Sequence, residues 1–285
     1  MNDKTPILGS LNEGSLKTET TPAHIPKQFG QGIIDAHLHL DDRSGGSAAD
    51  AARSLTEAMN ACGVSHAVVL HLLWQRWSVE EVAEALSKEP MLTGFINVDP
   101  HSPTAGMDLE KGVSLGFRGV KLHPRLQKYR PDDAACVAIV QQAGELGLPV
   151  LLDCFPDGDW LLAGLSVLDY ATLAKQAPKT RIVVAHAAGH HCLDLLMLAK
   201  RIPNLWFDVS YSLLYYGGPV VDSLFYCLRS IRYERVLFGT DYPDRPLKTS
   251  VEMSLALLNQ FQVTGEEREK LLWKNAHELL RTQSD

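Results

Sequence analysis

The sequence predicts one α/β domain folded as a closed (β/α)8 barrel, the TIM-barrel architecture. Three observations point to it. Short apolar, β-branched runs recur eight times from residue 33 onward. Helix-length amphipathic segments separate several of them. Eight such units also fill the roughly 250 residues that these barrels occupy. Strands alternating with helices imply parallel pairing with right-handed crossovers. No GxGxxG follows the first run, which disfavours a doubly wound dinucleotide-binding fold.

The first run is Ile33–Leu40, and the apolar spacing of Ala48–Cys62 predicts a helix after it. His66–Leu72 is the second strand, Val79–Ser87 a helix, Leu92–Val98 the third strand and Gly119–His123 the fourth. A helix is predicted over Pro131–Leu146, with proline in its first turn and Gly147 just past its end. Strands five and six are Pro149–Phe155 and Arg181–Ala187. Cys192–Arg201 reads as a helix that stops before Ile202-Pro203, because the residue before a proline disfavours the α conformation. Leu205–Ser210 and Arg235–Asp241 complete the strands, and Val251–Phe261 and Glu266–Arg281 are predicted helices. The runs are rich in Val, Ile and Leu without strict polar alternation, as suits strands buried on both faces. Residues 1–30 are rich in Thr, Ser, Pro, Asn and Lys and read as an N-terminal extension, leaving 31–285 for the barrel.

Composition narrows the function. With 285 residues, 45% of them apolar, the chain can bury a large core and is not a disordered segment. Lysine and arginine number 27 against 34 acids, a net charge of −7, so nothing draws the whole molecule to nucleic acid or anionic lipid. A local basic pocket for a small anionic substrate is compatible with that balance. Five scattered cysteines without CxxC spacing argue against a disulfide framework and a zinc knuckle, and fit reduced core thiols. No apolar stretch approaches the ~20 residues of a membrane helix, and no basic-then-apolar leader is visible. The expectation is a cytoplasmic protein that acts on a small molecule without nucleic-acid or membrane partners. A homodimer is the default assembly.

In a barrel of this kind, chemistry sits at the C-terminal strand ends. Strand one ends Asp35-Ala36-His37-Leu38-His39, and alternation turns His37 and His39 the same way. An inward HxH pair can offer two imidazole nitrogens to one ion. Asp241 from strand eight and Asp153 from strand five are candidate carboxylate ligands, and His186 from strand six is placed to bond a water or substrate oxygen. Such a set suits one divalent ion, zinc first, with manganese or iron as alternatives. Taken singly, each feature has a plainer explanation. An HxH pair also occurs on surfaces, strand-end aspartates such as Asp208 and Asp153 are commonly caps or turn formers, and His123 precedes Pro124 as a turn residue would. Their coincidence on one face carries the metal reading.

Lys121 shares parity with His123 and is expected to face inward. An unpaired lysine inside a barrel is costly, so Asp153 or Asp35 is expected beside it, and Asp153 is either a metal ligand or the partner of Lys121. Arg43, His71, Arg125, His190, His191, Tyr242 and Arg245 lie on strand-end loops, where arginines can clamp a carboxylate. Lys121, His123, Arg125, His71 and Arg245 are the substrate-binding candidates. Trp74 and Trp77 either wall the pocket or anchor a loop.

Four stretches are decisive in combination: Asp35–His39, Gly119–Pro124 (GVKLHP), Val184–His186 and Leu237–Pro243 (LFGTDYP). Together, and in order over residues 32–285, they resemble the amidohydrolase-related (amidohydrolase 2) family of metal-dependent TIM-barrel hydrolases. This branch contains aminocarboxymuconate-semialdehyde decarboxylase and pyrone-dicarboxylate lactonase. The resemblance implies metal ligation by His37, His39 and Asp241, with His186 activating water or polarising the substrate. One position departs: relatives commonly end strand five with a ligand histidine, and this chain has Asp153. Aspartate can coordinate and favours a harder ion such as manganese, but it is shorter. The predicted function is metal-dependent hydrolysis of a small organic acid, ester, lactone or amide. Non-oxidative decarboxylation of a small aromatic or muconate-like acid is the first alternative, and a catalytically inactive ligand-binding barrel the second.

Overall fold

All eight runs become strands in the computed structural model, which describes residues 32–43 and 45–281. They are β1 (Ile33–Leu38), β2 (Val64–Leu70), β3 (Leu92–Asn97), β4 (Gly119–Leu122), β5 (Val150–Leu152), β6 (Ile182–Val184), β7 (Leu205–Asp208) and β8 (Val236–Leu237). Each pairs in parallel with the next in chain order. Three backbone bonds join the two edges. Ala36 N–H donates to Phe238 O (2.8 Å), Asp241 N–H to His37 O (2.8 Å) and His39 N–H to Tyr242 O (2.7 Å). This is the predicted barrel. The extension expected over residues 1–30 lies outside the described residues.

Alternation along the strands sorts the side chains. Ile34, Val68, Leu70, Phe95, Leu151, Val183, Trp206 and Leu237 fill the interior, whereas Val120, Leu122, Val150, Leu152, Val184 and Phe207 face the helices. The same parity carries Lys121, His123, Asp153, Asp208 and Asp241 inward, above that apolar plug. The paired strands are shorter than the apolar runs because the chain leaves the ladder at the mouth, where these polar side chains are presented.

The helices Ala48–Cys62 and Val79–Ser87 form over the predicted ranges, each opened by a serine (Ser47, Ser78) in a reciprocal capping box. The helix predicted from Pro131 begins later, at Ala134–Glu145, because extended Asp133 is its cap and Pro131 stays in the preceding turn. Cys192–Ala199 ends short of Arg201, Leu247–Gln260 starts ahead of Val251, and a π-type turn at Lys270–Lys274 interrupts the terminal helix. Ala105–Ser114, Val167–Gln176 and Pro219–Ser230 complete the outer layer as further helices. All five cysteines are buried free thiols. Among the described residues no helix is long and apolar enough to cross a membrane.

Gly239 links β8 to Asp241 at the seam, where neighbouring side chains crowd it. A Cβ there would stand 2.8 Å from His37 Cβ and 2.9 Å from Ser210 Cβ, and both residues are buried and cannot swing away. Gly239→Ala is therefore expected to cost about 1–3 kcal/mol of unfolding free energy through overpacking. Equilibrium denaturant melts check this, and a variant as stable as the parent would show that the seam has room.

Candidate active site

A cavity of about 450 Å3 opens at the C-terminal mouth, lined by His37, His39, Lys121, His123, Arg125, Asp153, Phe155, Asp157, His186, Tyr211, Tyr215, Asp241, Pro243 and Asp244. On one side His37 Nε2 and His39 Nε2 lie 3.3 and 3.4 Å from Asp241 Oδ1. The three donor atoms are within 4.8 Å of one another.

The opposite ring nitrogens decide which atoms face the cavity. His39 Nδ1 is 2.8 Å from Leu70 O, which can only accept, so Nδ1 bears the proton and Nε2 offers its lone pair. His37 Nδ1 donates to Asp208 Oδ2 at 2.9 Å, with the same result. Two imidazole lone pairs aimed at one carboxylate oxygen repel unless a cation lies between them, so this donor set fits a divalent ion. The field agrees. Burial and Lys121 push the His37 imidazole down, but Asp208 and Asp241 outweigh them and hold it up at about 9. Burial alone would raise the Asp241 carboxyl, yet His37 and His39 keep it well below the ordinary carboxylate range.

Asp208 was read from sequence as a turn former, and it is one, accepting from Ser210 N–H at 2.9 Å. It is also the hub of the site. Fully buried, it takes the His37 proton, the His186 N–H (3.1 Å) and a short bond from Ser210 Oγ. Ser210 Oγ in turn lies 3.1 Å from His37 Nδ1 and 3.0 Å from His186 Nδ1. Despite burial, His37 and its other donors hold the Asp208 carboxyl down at about 2.

Asp153 stands apart from the triad. Arg125 Nε donates to Asp153 Oδ2 at 3.3 Å, and Asp153 Oδ1 lies 3.5 Å from His123 Nε2 and 3.4 Å from His186 Nε2. It is also not the contact partner of Lys121. Among the described residues no carboxylate oxygen lies within 4.0 Å of Lys121 Nζ, and Asp35 is instead held by Thr240 Oγ1 (2.5 Å), Thr240 N–H and His37 N–H (both 3.1 Å). Arg125 outcompetes the lysine because its planar fork spans two carboxylates, with Nη1 on Asp157 at 2.6 Å.

Of the remaining candidates, His123 lines the cavity while its Nδ1 accepts from Leu126 N–H, capping the short helix Pro124–Gln127. His71 does not join the site. Val68 and Leu70 face inward on β2, so alternation turns His71 outward into a second cavity of about 330 Å3 beside Val79 and Ile96. Burial pushes its pKa down to about 4. Arg245 pairs with Asp244 (2.9 Å) at the rim and lies 5.8 Å from the Tyr211 ring. Arg43 is tied to Asp41 and Pro243 O, His190 to Tyr216, and His191 to Asp194. Trp77 is a buried loop anchor on Gly46 O, whereas Trp74 packs edge-on against His123. Tyr242 O accepts from His39 N–H.

A comparison with protein families matches residues 34–282 to the family described as Amidohydrolase. The chain belongs to the amidohydrolase family. No curated protein matches the sequence. Among solved structures, a TIM-barrel protein of Bordetella bronchiseptica is similar with a TM-score of 0.73 at 22% identity, covering 87% of this chain and 98% of that one. A putative 2-pyrone-4,6-dicarboxylic acid hydrolase from Pseudomonas putida gives 0.66 at 21%, covering 90% and 99%. The 5-carboxyvanillate decarboxylase of Sphingomonas paucimobilis gives 0.63 at 13%, covering 88% and 99%. At these identities the similarity is one of fold, and this amidohydrolase shares the barrel along almost their whole length.

If Asp208 sets the tautomer and basicity of His37, Asp208→Asn keeps the shape and loses the charge. Affinity for zinc or manganese is then expected to fall about 10–100-fold, with a far smaller change in melting temperature. A chelator-competition titration reads this, and unchanged affinity would reduce Asp208 to a turn former.

Proposed function

We propose that this amidohydrolase is a metal-dependent hydrolase that cleaves an ester, lactone or amide bond in a small organic acid at the barrel mouth. The observation that carries the reading is the convergence of His37 Nε2, His39 Nε2 and Asp241 Oδ1 with both Nδ1 atoms tied off. Two imidazoles and a carboxylate favour zinc, with manganese or iron as alternatives. A divalent ion bound there supplies Lewis acidity, lowering the pKa of a water toward ~7 and polarising a substrate oxygen.

The chain's own groups do the rest. Asp241 turns Oδ1 to the imidazoles, and no donor of the described residues occupies its Oδ2, which is free to take a proton from water and pass it to the leaving group. His186 is fixed through Nδ1 on Ser210 O at 3.1 Å and turns Nε2 into the cavity, where it meets a substrate oxygen in a set orientation. Phe155, Tyr211 and Tyr215 form an aromatic wall that limits water on one side.

The similar fold of a putative 2-pyrone-4,6-dicarboxylic acid hydrolase supports hydrolysis. A second reading, non-oxidative decarboxylation, has its support in the similar fold of 5-carboxyvanillate decarboxylase. Metal content and products separate the readings. The parent protein is expected to hold about one divalent ion per chain, and His39→Ala and Asp241→Ala to lose it by roughly tenfold or more in affinity. Full occupancy in both variants sinks this ligand set, and a metal-free parent that added zinc or manganese does not activate leaves a ligand-binding barrel. On a panel of lactones and aromatic acids, incorporation of labelled oxygen from water marks hydrolysis. Release of carbon dioxide without it marks decarboxylation.

A further inference from the structure

Two cations line the mouth cavity, Arg125 and Lys121, and their surroundings differ. Arg125 is engaged on both sides, by Asp153 and Asp157. Lys121 is 1% exposed, yet no carboxylate of the described residues comes within 4.0 Å of its ammonium. Every acid in its neighbourhood has a nearer claimant. Asp35 is taken by Thr240, Asp208 by His37 and Ser210, Asp241 by the two imidazoles, and Asp153 by Arg125. Its backbone on β4 is fixed by Asn97 Nδ2, which donates to Lys121 O at 2.8 Å. A buried ammonium without a contact counter-charge is costly, and a ligand anion removes that cost.

His123 adds a second donor beside it. Its Nδ1 accepts the Leu126 N–H, so the neutral ring carries its proton on Nε2, which lines the same cavity. At 3.5 Å from Asp153 Oδ1 that proton is only loosely engaged.

We propose that Lys121, flanked by His123, is the anchor of an oxyanion subsite on the cavity floor, so that the ligand is a small molecule bearing a carboxylate or phosphate group. The anion docks on Lys121 Nζ, and the remainder of the molecule extends toward His37, His39 and Asp241 across the cavity. This deepens the hydrolase reading by naming the substrate's anchoring group, while anion binding itself needs no metal.

The test uses chelator-treated full-length protein, titrated calorimetrically with malonate and, separately, with inorganic phosphate. At least one anion is expected to bind the parent, and the stronger of the two identifies the group. Lys121→Met is expected to weaken that binding at least tenfold while leaving zinc affinity and melting temperature no lower than in the parent. Failure of both anions to bind the parent, or equal binding by the variant, overturns the proposal. A fall in melting temperature with anion binding retained likewise overturns it, marking Lys121 as a structural counter-charge. If Lys121→Met does not fold, the parent carries the test through acetylation of Lys121 read by mass spectrometry. The bound anion is expected to slow modification at Lys121 selectively, and absence of protection overturns the assignment. Intact anion binding in His39→Ala separates this claim from the metal reading, because one can fail without the other.

Discussion

The candidate site depends first on one buried contact, the 2.9 Å bond between His37 Nδ1 and Asp208. It turns the His37 lone pair toward the cavity, and the same carboxylate pins the backbone of His186 and the hydroxyl of Ser210. One side chain from β7 thus positions groups from β1 and β6. Removing its charge while keeping its shape separates this ordering from simple packing. The resulting negative field, with Asp241 added, raises the His37 pKa against both burial and Lys121, so a metal bound at Nε2 displaces a proton there.

Backbone geometry follows the same demand. His186, Ala187 and Ala188 have φ of 59°, 47° and 54°, and Asp241 has φ of 59°. Each non-glycine residue in this left-handed region costs roughly 1–2 kcal/mol from Cβ–carbonyl crowding. Such conformations persist only when the surroundings over-determine them, and here the bonds to Asp208 and Ser210 O, with the seam bond from Asp241 N–H to His37 O, do so. The small side chains of Ala187 and Ala188 and the flexibility of Gly189 make the turn after β6 tolerable.

Much of this was legible in the sequence, for physical reasons. Barrel strands are buried on both faces, so their apolar runs are conspicuous and all eight could be placed. Asp241 was readable because it keeps step with inward Leu237, and the HxH pair because two histidines at one strand end share a face. That they face inward, out of step with interior Ile34 and Ala36, comes from the shift in β1–β2 register between Asp35 and Leu38, which no local pattern shows. Asp208 was not, since its local turn role is real and its decisive contact spans 171 residues. His71 sits at a strand end as the site residues do, but alternation with inward Val68 and Leu70 turns it away from the mouth. The expected Lys121 contact with Asp153 or Asp35 failed because competing donors, Arg125 and Thr240, lie on segments whose approach no local pattern reveals.

The central claim is that His37, His39 and Asp241 hold one divalent ion while Asp153 serves the opposite wall. Anomalous diffraction at the metal's absorption edge, from crystals of the zinc- or manganese-loaded protein, tests it most directly. The expected result is a single peak about 2.0–2.2 Å from both Nε2 atoms and an Asp241 oxygen, with Asp153 still on Arg125. A peak ligated by Asp153, or no peak at the mouth of a metal-saturated crystal, would contradict it.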